Sequence, residues 1–193
     1  FADVDGTYTD NESGGSGGAI GVDNGSDADF EGASFNSNTA DAGGGAIWAE
    51  GEVSMEDSSF ANNLARGGDG GAIASTDELT IEGGTFDSNQ ASLGSGGAIA
   101  TEGECQIDGT RFTDNEADER GGAIVVDDAA SFELREGGFF RNSTGSYGGA
   151  ISVNDADVVS ITRSYLHGNQ GGYGGALSIV DTDSLVLTNL RVT

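Results

Sequence analysis

Lysine and proline are absent from this 193-residue sequence, and cysteine, methionine, tryptophan and histidine occur once each. The missing proline excludes collagen and a proline-rich linker. A lone cysteine excludes an internal disulfide and a cysteine-based zinc site. No apolar run approaches the ~18 residues a membrane-spanning helix needs, so membrane insertion by this segment is not expected. Positive charge is scarce: seven arginines face 33 acids, for a formal net charge of -26. Such a surface repels nucleic-acid phosphates and anionic bilayers, so no nucleic-acid partner is expected. Leu, Ile, Val and Phe make up about a fifth of the chain, which together with the charge approaches the composition of a disordered segment. No initiator methionine or signal peptide opens the sequence, so a processed product or a segment of a longer chain is expected.

Glycine is abundant, with 35 residues, and it is ordered. Gly-Gly-Ala recurs at Gly17, Gly44, Gly70, Gly96, Gly121, Gly148 and Gly174, always followed by an aliphatic residue, at spacings of 25 to 27. Upstream of each triplet an aromatic residue precedes an asparagine by three positions: Tyr8/Asn11, Phe35/Asn38, Phe60/Asn63, Phe86/Asn89, Phe112/Asn115 and Phe139/Asn142. Leu166/Asn169 is the seventh pair, with leucine in place of the aromatic. A third apolar marker lies five residues before the aromatic (Phe30, Met55, Ile81, Ile107, Leu134, Ile161); in the first repeat Val4 is only four residues before Tyr8. A fixed period of this length indicates a solenoid. Alternating pairs such as Leu79/Ile81 and Cys105/Ile107 carry the period of two that marks a strand with one buried face.

The expected fold is therefore all-β: a right-handed parallel β-helix, residues 1–193 as one domain, with three short strands per coil of about 26 residues and roughly seven coils. At a strand spacing of about 4.8 Å the rod is about 35 Å long. Residues 26 apart become neighbours, and like residues form columns. Stacked Asn11, Asn38, Asn63, Asn89, Asn115, Asn142 and Asn169 are expected to hydrogen-bond along the rod as a structural ladder and to occupy a left-handed corner. The glycine pair is expected at a second corner or a close backbone approach.

Repeated Gly-Gly-Ala-Ile paired with Phe-x-x-Asn resembles the repeat of the chlamydial polymorphic outer-membrane protein family. The resemblance covers residues 8 to 177. It implies a surface-displayed passenger built as a β-helix and acting in adhesion. This chain departs from the family in its much stronger acidity, and residues 1–193 are not expected to include the family's C-terminal membrane barrel.

Acidic pairs gather between the first and second strands of each repeat, among them Asp127, Asp128, Asp155, Asp157, Asp181 and Asp183. Stacked carboxylates repel unless bridged, so these are candidate Ca²⁺ ligands; the competing reading is a solvated acidic edge that keeps rods apart. No other cofactor is expected. The lack of lysine among so many acids suggests a saline environment. Trp48 should point outward, where it can meet a sugar or a partner or cover a neighbouring coil. Tyr147 and Tyr173 share one position before Gly-Gly-Ala and should stack as a surface contact. Cys105 lies in an inward column, and His167 at a corner has no motif-fixed nucleophile beside it. Asn24 heads a sequon in a loop and is a candidate glycan site; those at Asn11 and Asn142 belong to the ladder and should be inaccessible.

No insertion breaks the period to build a catalytic pocket, and a β-helical lyase would need basic residues for a uronate. The expected function is that of an extracellular structural or adhesive rod, not an enzyme. Its partners would be a surface glycan or protein receptor and other rods joined end to end. The alternatives are a carbohydrate-binding or carbohydrate-active β-helix and a calcium-stabilised spacer.

Overall fold

The computed structural model describes all 193 residues, as short strands joined by tight turns. No helix is long and apolar enough to cross a membrane. Every strand pairs in parallel with its counterpart one repeat away, as in Phe60↔Phe86↔Phe112, so the chain is a parallel β-solenoid of about seven coils.

Each coil contributes to four sheets, not three. In one coil the strands are Leu79–Glu82, Thr85–Asp87, Gln90–Ala91 and Ile99–Thr101. They belong to the first, second, third and fourth sheets, with eight, eight, six and seven strands. The third sheet corrects the three-strand expectation. Its strands are two residues long and turn a single side chain inward, and from Ala40 through Ala65 and Ala91 to Ala117 that side chain is alanine. Two residues cannot display an alternation, and alanine adds little to a hydrophobic pattern.

The interior is one cluster of 35 buried residues arranged in columns. Tyr8, Phe35, Phe60, Phe86, Phe112 and Phe139 form a continuous ring stack, with centroids 4.6 to 4.9 Å apart and planes within 11°. Each buried phenyl contributes about 1.5–3 kcal/mol of transfer free energy, and ring contact on both sides adds to it. In the first coil the register pairs Asp3 with Phe30 and Val4 with Glu31. Asp3, not Val4, therefore stands in the inward column, and Val4 is exposed. The inward carboxylate accepts a 2.8 Å hydrogen bond from the Tyr8 hydroxyl.

The two glycines of each triplet have different reasons. Gly96 has φ of 67°, and a Cβ there would strike the carbonyl of Ile99. A Cβ on Gly97 would strike the carbonyl of Gly122 in the next coil, so the second glycine is fixed by backbone contact between coils. The corner before the third sheet also differs from expectation. Its left-handed residue is the one preceding the ladder asparagine: Asp10, Ser37, Asn62, Ser88, Asp114, Arg141 and Gly168. With that residue making the corner, the asparagine side chain turns inward and its amide is free for the ladder.

Candidate functional site

The ladder asparagines form an unbroken hydrogen-bonded row. From Asn11 to Asn169, each side-chain amide donates to the carbonyl oxygen of the next, at 2.8 to 3.0 Å. The same Oδ1 also accepts the backbone N–H of the preceding asparagine, as from Asn63 to Asn89 at 3.0 Å. The second amide hydrogen caps an aromatic-strand carbonyl of the preceding coil, as from Asn89 to Phe60 O at 3.1 Å. Asn38, Asn63, Asn89, Asn115 and Asn142 are wholly buried, and no buried side-chain polar atom in the chain lacks a partner. Asn11, in the first of the described coils, is exposed, where a covered sequon was expected.

A second set of buried polar groups has no counterpart among the sequence expectations. Two residues before each ring, and before Leu166 in the same column, stands a small residue; the hydroxyls of Ser58, Thr110 and Ser164 are buried there, alternating with Ala33, Gly84 and Gly137. Ser58 Oγ accepts the N–H of Ala33, and Ser164 Oγ accepts that of Gly137. The invariable smallness of this position was the available signal.

The six candidate calcium ligands do not converge. Asp127 ends a fourth-sheet strand and pairs in register with Asn154, which pairs with Val180, so its column is not a stack of carboxylates. Asp128, Asp155 and Asp181 occupy left-handed corners with φ of 51° to 57°, a conformation that aspartate tolerates. Asp157 and Asp183 are exposed. No group of three or more acidic, histidine or cysteine side chains is arranged to hold a metal ion. Charge crowds elsewhere: Glu52 faces Asp27 first and Glu78 next, and their repulsion raises its pKa. A second acidic row, Glu31, Glu56, Glu82 and Asp108, runs in register along the outer first sheet until Arg135 interrupts it.

Cys105 is fully buried between Leu79 and Phe132, and burial pushes its thiol up to about 12. His167 is exposed, with Nδ1 2.9 Å from Thr193 Oγ1 and the ring stacked on Tyr165. It belongs to a strip on the outer second sheet in which Arg111 covers Phe140 and Arg191 covers Tyr165. The rings of Tyr147 and Tyr173 stack with centroids 4.9 Å apart on an exposed edge. Asn24 is exposed in a turn.

Trp48 lies in the outward column of the fourth sheet, between Gly21 and Ala74 in register. That column continues through Ala100 and Val125. The two alanines are too small to fill the space between the indole and the valine, and a trough of about 200 Å³ results. One wall carries Ser16, Gly43 and Asp69, and the other Ser75, Thr76, Thr101, Glu102 and Asp127. Asp127 is held by Arg120 in a two-point ion pair, at 2.8 and 2.7 Å. Asp69 accepts the Ser95 N–H at 2.6 Å. Phe1 and Val4 are exposed in the first coil, and Leu185, Leu187 and Val192 in the last.

The family profile described as "Right handed beta helix region" matches residues 2–136, more than two thirds of the chain. No curated protein and no solved structure matches the sequence.

Proposed function

The chain belongs to the right-handed beta helix family, and from that premise we propose that it serves as a non-catalytic structural and adhesive rod displayed outside the cell. One observation carries this reading. The ring stack runs from Tyr8 to Phe139 and the asparagine ladder from Asn11 to Asn169 without an inserted loop, so the molecule's regularity goes into stiffness and length. The likeness of the Gly-Gly-Ala-Ile and Phe-x-x-Asn repeats to the chlamydial polymorphic outer-membrane proteins supports a surface location and adhesion. Coils that pair edge to edge in one register along the whole rod support extension by further coils or by other rods placed end to end.

The test joins three measurements. Sedimentation over a range of concentrations reads end-to-end association. Retention of chain-coated beads on cell and glycan surfaces reads adhesion. Incubation with polysaccharides, followed by assay of reducing ends, reads catalysis. The expected result is retained beads, concentration-dependent association and no new reducing ends. Release of reducing ends, or beads that hold to nothing, overturns the reading.

A further inference from the structure

We propose that the trough beside Trp48 is a binding subsite for an uncharged saccharide, with the indole as stacking platform and the trough walls as hydrogen-bond acceptors. The inference rests on the adhesive reading and names a ligand class for it. It begins with an irregularity in the outward column of the fourth sheet. Trp48 is followed by Ala74 and Ala100 before bulk returns at Val125. The floor thus spans three strand spacings, about 14 Å, with a flat aromatic face at one end. A volume of about 200 Å³ is below the ~300 Å³ at which pockets for drug-sized ligands begin and is on the scale of a single sugar ring.

Wall chemistry decides the ligand's charge. Asp127 is neutralised by Arg120 across two hydrogen bonds, and Asp69 is engaged by the Ser95 N–H. Ser75 donates to the Asp77 carbonyl, and Thr101 accepts the Gly103 N–H. Glu102 and Thr76, exposed on the wall, remain for a ligand. Glu102 and the free Oδ2 of Asp69 do not make a group of three ligands for a metal ion, while their charge and the surrounding field turn away uronates and sulfated sugars. A sugar meets these terms: its C–H face lies on the indole and its hydroxyls donate to Glu102 and Thr76.

Trp48 is the only tryptophan, so its emission reports on the trough alone. The folded chain is titrated to millimolar concentration with maltotetraose, cellotetraose, laminaritetraose and mannotetraose. Tetragalacturonate and spermidine are the charged controls. At least one neutral tetrasaccharide is expected to shift the emission, and neither control is. By calorimetry, Trp48→Ala should weaken binding about tenfold, the worth of one aromatic contact, and Trp48→Phe should restore part of it. Ala100→Leu leaves the indole in place but fills the floor, and is expected to weaken binding at least as much; circular dichroism verifies its fold. The proposal is overturned if no neutral tetrasaccharide shifts the emission, if a charged control does so equally, or if Ala100→Leu binds as the wild type does. Coated beads that stay attached to their surface in the presence of these tetrasaccharides overturn the trough and leave the adhesive rod standing. Wild-type beads that hold to nothing count against the rod itself.

Discussion

Phe60 and Phe86, 26 residues apart in sequence, lie ring on ring with centroids 4.7 Å apart and planes 2° from parallel. Each is closed on its other side by another ring, Phe35 or Phe112. Removing one ring from the middle of the stack leaves a void that neither neighbour can fill without breaking its own coil. Phe86→Ala should cost about 3–5 kcal/mol in urea unfolding. Phe86→Leu should cost less, because the column already accepts a leucine at Leu166, in register with Phe139.

Asn89 is expected to be harder to replace than a single hydrogen bond would suggest. Asn89→Ala strands the Asn63 N–H and amide and the Phe60 carbonyl, all inside the rod. At about 1–3 kcal/mol for each buried group left unpaired, the loss should be at least about 3 kcal/mol. The outward Asn36→Ala, which removes only an exposed 3.3 Å contact from Asn62, should stay within about 0.5 kcal/mol. Asn89→Asp sets a buried carboxylate against the Phe60 carbonyl, and burial raises its pKa. The variant should therefore regain stability as pH falls, in a pH series of urea midpoints where the wild type does not.

The sequence made the coil and most of its columns legible because stacking forces equivalent positions toward like residues. Phe60, Asn63 and Gly70 each recur one period on, as Phe86, Asn89 and Gly96, and the repeat alone placed them in contact. The third sheet was hidden because a strand such as Gln90–Ala91 has no room to alternate. The corner assignment slipped by one residue because its left-handed position accepts aspartate, serine, asparagine, arginine or glycine, and so has no compositional signature. The trough was hidden for the opposite reason. It is made by what Ala74 and Ala100 lack, and only the register that places them beside Trp48 turns small residues into a space.

Glu52 predicts how the rod answers to salt. It is exposed, and repulsion from Asp27 and then Glu78 raises its pKa. A raised carboxylate pKa means that the folded state resists ionisation. The favourable contribution is present below the unfolded pKa and is lost as pH rises through the folded one. At neutral pH Glu52→Gln should therefore raise the melting temperature in dilute buffer. The gain should shrink toward zero in molar NaCl, while the wild type itself melts higher as salt increases. Melting curves of both chains across a NaCl series check this.

Tyr8 predicts the alkaline limb. Burial, and then the hydrogen bond to Asp3, pushes its phenol up to about 12. The folded chain thus holds this proton where the unfolded chain has begun to release it. The Tyr8 contribution is present below about pH 10 and is lost as pH approaches about 12. Tyr8→Phe should flatten that decline, as read from urea midpoints between pH 9 and 12.

The asparagine ladder also gives the rod a direction. Every buried side-chain amide hands one proton to the asparagine oxygen of the next coil and the other to a carbonyl of the coil before. Asn89 therefore meets an oxygen on its Asn115 side and an N–H on its Asn63 side. Turning one coil end for end would set donor against donor, so the ladder gives the rod a single sense along its axis.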